Sequence, residues 1–267
     1  MSRVTAASLA RIERTLTERD RLVIAALDRL RLATTEQLHR LLDLSGPLTL
    51  RASQALLRKL QAARVVSRLD RSVGGVRAGS TGHVYALDAA GQRLASGCGP
   101  AGGRRIRRPW TPVSTQFTQH HLAASELYVR LREAEQVRSL VVLDFDAEPI
   151  CWRYFTGPGG GRVILKPDAF VRIGLGGYQD TYFIEVDQAT QSLPAITRKL
   201  AIYRSFYVTG REQERFGAFP EVLFLVPSED RGAALADLIA RQGGDVQRFA
   251  AVALASDAPE LFVREAP

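Results

Sequence analysis

Lys166-Pro167-Asp168 and, seventeen positions after that aspartate, Glu185-Val186-Asp187 hold the side chains best suited to chemistry. Side chains alternate across a strand, so Lys166 and Asp168 share one side, and Glu185 and Asp187 share one side of theirs. Two carboxylates so close at the end of an apolar strand repel unless they are solvated, hydrogen-bonded or bridged by a cation. With Asp168 added, the trio makes an oxygen cage suited to Mg²⁺, with Mn²⁺ as a substitute. Such an ion lowers the pKa of a bound water that attacks a phosphodiester. The same residues have plainer uses. Asp168 can cap a turn after Pro167, a residue unwelcome inside a central strand. Glu185 and Asp187 can pair with Arg172, Arg198 or Lys199 as a structural ion network. Tyr203, Trp152 and Tyr154 read as packing residues, and His120 and His121 as satisfied or surface histidines.

A second group of residues suits a polyanion. Residues 1–115 hold 20 Arg plus Lys against 8 Asp plus Glu, a net of +12, while residues 116–267 hold 16 against 20, a net of −4. A front half this basic attracts nucleic acid, duplex DNA first of all. Arg51, Ser53, Gln54, Arg58 and Lys59 fall on the polar side of one helical stretch, where Arg reads guanine and Gln reads adenine by paired hydrogen bonds. Arg68, Arg71 and Arg77 flank a turn, and Arg104, Arg105, Arg107 and Arg108 precede Trp110 in a Gly/Pro-rich segment that can lie along phosphates. A solubilising Arg-rich surface is the bland alternative. Only Lys59, Lys166 and Lys199 are lysines, against 33 arginines, which raises the question of what a compact ammonium does at each.

The elements that must position these groups can be read in order. Thr17 opens a first helix carrying Leu22, Val23, Ala26, Leu27 and Leu30. Thr34 or Thr35 caps a second, with Leu38, Leu41 and Leu42. A third runs from about Thr49 to Ala63, with Ala52, Leu56, Leu57 and Leu60 on one side. Strand-like segments at 65–69 and 83–87 enclose a Gly-rich turn. Three helices and a basic hairpin match a winged helix-turn-helix, whose third helix enters the major groove. The alternative is a small helical domain that uses this surface for protein contacts.

The back half reads as a helix at 118–135, strands at 140–145, 151–155, 163–173 and 181–187, a helix at 193–207, a strand at 222–226, a helix after Ser228 and a strand at 249–255. That order implies a mixed α/β sheet.

Pro167-Asp168 with Glu185-Val186-Asp187 is similar to the PD-(D/E)xK nuclease superfamily, in which an Asp and a Glu hold the metal and a Lys orients the water. Here Asp187 stands where that Lys is usual, and Lys199 on the following helix is the nearest replacement. Over roughly residues 16–227 the chain resembles the replication-relaxation family of actinobacterial plasmids and integrative elements. The resemblance rests on the helical front, His121-Leu122, Lys166-Pro167-Asp168-Ala169, Phe183-Ile184-Glu185-Val186-Asp187 with Thr190, Lys199-Leu200 to Tyr203, and Phe219-Pro220. It implies a part in plasmid replication or in relaxing DNA for transfer.

The expected architecture is therefore α/β (α+β). A winged helix-turn-helix spans 1–96, a basic linker 97–115, and a restriction-endonuclease-like mixed sheet 116–267. The expected site is Asp168, Glu185 and Asp187 on Mg²⁺ with Lys199 on the phosphate. The alternative function is a non-catalytic transcriptional or copy-number regulator whose sheet serves dimerisation or partner binding, including other replication or transfer proteins.

Composition narrows the field further. With 46% hydrophobic and 24% charged residues, the chain is neither disordered nor collagen-like. Apolar runs such as Val222 to Val226 fall far short of the roughly 20 residues of a membrane span. Cys98 and Cys151 lack ligand or disulfide spacing, which fits a reducing cytoplasm.

Overall fold

The structure, a computed structural model, describes residues 4–69, 82–98 and 115–262. The chain divides into two compact units, 1–129 and 130–267. Most of the expected linker, with Arg104, Arg105, Arg107 and Arg108, lies outside the described residues, as do Arg71 and Arg77 of the expected wing.

Unit one begins with α1 (Ala6–Thr15), α2 (Glu18–Leu30), β1 (Ala33–Thr34), α3 (Thr35–Asp43) and α4 (Leu50–Ala62). β2 (Val66–Arg68), β3 (Val84–Leu87) and α5 (Ala89–Cys98) follow, and α6 (Thr115–Val137) starts here and contains the division between the units. The helix starts are set by hydroxyl caps. Thr17 and Asp20 form a reciprocal capping box on α2, Thr34 and Gln37 do the same on α3, and Thr49 accepts from Ala52 N on α4. Val23, Leu27, Leu38, Leu42, Leu57 and Leu60 pack into one core with Val66 and Tyr85 of a small antiparallel sheet ordered β1-β3-β2. α1 and α5 are absent from the sequence reading.

Unit two holds β4 (Leu140–Ala147), β5 (Arg153–Thr156), β6 (Arg162–Leu165), β7 (Ala169–Leu175) and β8 (Tyr178–Val186). It continues with α7 (Leu193–Tyr207), α8 (Arg211–Phe216), β9 (Glu221–Val226), α9 (Glu229–Gln242), α10 (Gly244–Phe249), β10 (Ala250–Leu254) and α11 (Ala258–Leu261). The main sheet is ordered β10-β9-β8-β7-β4, with β8, β9 and β10 parallel and β4 and β7 antiparallel to their neighbours. α7 and α9 are the crossovers between parallel strands, as that topology requires. Ile196, Leu200, Tyr203 and Phe206 of α7 pack with Phe170, Phe183 and Phe224 of the sheet. The architecture is α/β, as expected.

The strand expected at 163–173 is broken. Pro167 cannot donate to a ladder, and β6 and β7 end and begin on either side of Lys166-Pro167-Asp168, in different sheets. Lys166 and Asp168 consequently part company: Lys166 is exposed and Asp168 is buried. Among the described residues no helix is long and apolar enough to cross a membrane.

Candidate nucleic-acid interface

In unit one, the apolar stripe of α4 turns Leu57 and Leu60 inward, so the opposite side faces out by helical geometry. Arg51, Gln54 and Arg58, at spacings of three and four residues, are all exposed on that side. Beside them a groove of about 440 Å³ runs to the small sheet, with Gln54, Arg58, Gln61, Arg68, His83 and Tyr85 among its walls. Arg68 Nη1 lies 3.3 Å from His83 Nε2. Burial pushes the Tyr85 hydroxyl above its ordinary value, against the pull of Arg68, Thr35 and Arg58.

Two residues assigned to that polar side belong elsewhere. Ser53 is fully buried and shares a 3.0 Å hydrogen bond with His39 Nδ1, because its position follows the core stripe rather than the arginines. Lys59 has its ammonium 2.5 Å from the buried Asp20. Burial pushes the Asp20 carboxyl up, and the hydrogen bonds from Lys59 and Thr17 outweigh that, holding it below the usual carboxylate range. Lys59 thus balances a core charge, although half of its side chain is exposed.

In unit two, Glu185 and Asp187 emerge from the end of β8 and Asp168 immediately precedes β7; all three are buried. Lys199 and Tyr203 are four residues apart on α7, so one helix face delivers both to Glu185. Lys199 Nζ binds Glu185 Oε2, and the Tyr203 hydroxyl donates to Oε1 at 2.7 Å. Burial raises the Glu185 carboxyl to about 7; Lys199 opposes that rise and the Asp168 charge adds to it. Burial pulls the Lys199 ammonium down, but Glu185, Asp168 and Asp187 together hold it above its ordinary value.

Asp187 accepts from Ala189 N at 2.7 Å through Oδ1 and from Arg231 Nε at 2.7 Å through Oδ2, while Arg231 Nη2 lies 2.7 Å from Oδ2 and donates to Gln191 O at 2.7 Å. Asp168 Oδ2 accepts from Val186 N at 2.7 Å, while Asp168 N donates to Ile184 O at 2.9 Å, so this residue ties the start of β7 to β8.

In this geometry the carboxylates of the expected cage have protein partners. Both oxygens of Glu185 and both of Asp187 already face cations or N–H and O–H donors. Among the described residues no group of three His, Cys, Asp or Glu side chains is placed to hold a metal ion. Glu185 and Asp187 would have to release Lys199 and Arg231 before either could ligate Mg²⁺ or Mn²⁺. The plainer ion network is what forms. Lys199 is one of its expected cations, but Arg172 pairs with Asp144 at 2.8 Å instead and Arg198 is exposed. Arg231 was missed; Tyr203 packs in the core as expected, but its hydrogen bond to Glu185 was not foreseen. The four-residue step from Lys199 was a usable signal for Tyr203, whereas nothing local to Asp187 points to a residue 44 positions on.

The replication-relaxation family model matches residues 24–222. The chain belongs to that family. No curated protein and no solved structure matches it. Family membership points to a role in the replication of a plasmid or integrative element. In this replication-relaxation protein the matched span takes in the outward side of α4 and Asp168, Glu185, Asp187 and Lys199. It stops short of Arg231.

Proposed function

We propose that this replication-relaxation protein serves element replication by binding duplex DNA through unit one, a winged helix-turn-helix with α4 as its recognition helix. The observation that carries this reading is the exposed row Arg51, Gln54 and Arg58 beside the groove walled by Arg68 and His83. A helix of this kind presents its side chains to base edges while the neighbouring strands approach the phosphates. The reading places the protein in the cytoplasm with the element it serves. Mobility-shift selection of bound duplexes from random sequence tests it: enrichment of a defined site, lost in Arg58→Ala and Gln54→Ala, is expected. Recovery of no preferred sequence would contradict base reading.

For the nuclease-like sheet of unit two, charge balance favours the non-catalytic reading, in which it supports self-association or docking of another replication protein. Cleavage with Asp168, Glu185 and Asp187 on a metal would first have to release Lys199 and Arg231 from their carboxylates. The account expects supercoiled plasmid to stay supercoiled with the protein and Mg²⁺ or Mn²⁺. Nicking that disappears in Asp168→Ala and Glu185→Ala while DNA binding persists would establish the enzyme instead.

A further inference from the structure

The sequence reading placed Trp152 and Tyr154 in the core, and the structure corrects this for the tyrosine. Alternation along β5 sends Phe155 inward with Leu165 and Cys151, and so turns Tyr154 to the other face, where it is 46% exposed. Trp152, two residues earlier and half-buried, borders the core from the same side. β5 pairs antiparallel with β6, setting Ile164 opposite Tyr154 and Arg162 opposite Thr156. The Arg162 guanidinium lies 4.6 Å from the centre of the Tyr154 ring, and the Lys166 ammonium 4.7 Å from that of Trp152. Arg162 and Lys166 are exposed, and neither has a carboxylate partner among the described residues. Arg211, also exposed, donates to Tyr154 O at 2.9 Å. At the hairpin tip, a side chain added at Gly159, Gly160 or Gly161 would meet nothing within 4 Å, so the tip itself is uncrowded.

Aromatic rings interleaved with unpaired cations on one outward face are what a single strand requires. Its bases have free faces to stack on rings and guanidinium planes, while its phosphates need positive charge. A duplex keeps its bases stacked inside and gains nothing from the rings. We propose that the outward face of the β5–β6 hairpin binds single-stranded nucleic acid, with a base on Tyr154 and phosphates on Arg162, Lys166 and Arg211. It uses none of the residues of α4, so the proposal does not depend on duplex recognition. It suits a replication protein because initiation exposes single strands.

The test uses the full chain and fluorescein-labelled oligothymidine, read by anisotropy over a range of salt. Tyr154→Ala is expected to weaken binding by about tenfold, and Tyr154→Phe, which keeps the ring, to bind like the parent. The Arg162→Ala/Lys166→Ala double variant is expected to lower the steepness of log K against log salt by about 1.4, two phosphates' worth for a single strand. Arg51→Ala/Arg58→Ala, which removes the duplex-reading arginines, is expected to leave oligothymidine binding intact, so failure of one surface is distinguishable from failure of the other. The proposal is overturned if the parent chain does not bind oligothymidine, or if Tyr154→Ala binds it normally. It is equally overturned if that variant loses affinity for heparin, a polyanion without bases, to the same extent.

Discussion

Each of the three lysines has a task in which a compact ammonium counts. Lys59 and Lys199 reach buried carboxylates, and Lys166 covers an indole face. Lys199 matters most, because Glu185 is only 2% exposed and water cannot replace its partner. Lys199→Met is expected to cost about 3–5 kcal/mol at alkaline pH, where Glu185 is ionised, the usual penalty for stranding a buried charge. Acidification should relieve much of that loss by protonating Glu185; denaturant unfolding at two pH values checks both. The parent protein carries its own pH signature. Glu185 titrates at about 7 in the folded chain against an ordinary 4.5, so between those values the folded state holds more proton than the unfolded one. Its contribution to stability therefore falls as pH rises from about 4.5 to 7. Glu185→Gln should remove that fall from a series of melting curves, and an unchanged series would contradict the assignment. The carboxylates themselves were legible in the sequence, since two acids ending an apolar strand demand an explanation. What satisfies them was only partly legible, because Arg231 arrives from another helix.

Among the elements, capped helices were read almost to the residue. Thr17, Thr34 and Thr49 open α2, α3 and α4 because a hydroxyl at each start satisfies backbone donors that would otherwise lack partners. α7 runs over Leu193–Tyr207, the expected span. The short helices escaped notice for physical reasons. α8 is six residues, Arg211–Phe216, mostly charged, and α1 buries no residue, so neither shows a full apolar period. α5 was missed although it is anchored closely: a Cβ on Gly91 would lie 2.1 Å from Val65 O. Gly91→Ala must therefore push α5 away from the backbone leading into β2. A loss of about 1–3 kcal/mol is expected, and thermal unfolding would measure it. No loss would mean that α5 is not held there. The break at Pro167 shows the opposite failure, in which an apolar run continues in composition while its ladder cannot.

Across the whole molecule, charge is concentrated where duplex binding is proposed, with +12 in residues 1–115 and −4 in the remainder. Such asymmetry steers a polyanion to one end of the chain. The α/β architecture was readable from the order of patterns, whereas the point at which the chain divides was not. It falls inside α6, a continuous helix in which no change of composition marks the step from 129 to 130. Helical patterning records local periodicity, whereas division into units depends on which distant residues a helix touches.

The most direct measurement of the central claim is the equilibrium affinity of the full chain for a duplex carrying its selected site, followed against salt concentration. A steep linear fall of log K with log salt is predicted and, because Arg51 and Arg58 face base edges rather than phosphates, an affinity at least tenfold lower in the Arg51→Ala/Arg58→Ala variant. Binding that ignores salt, or a double variant with the affinity of the parent, would contradict it.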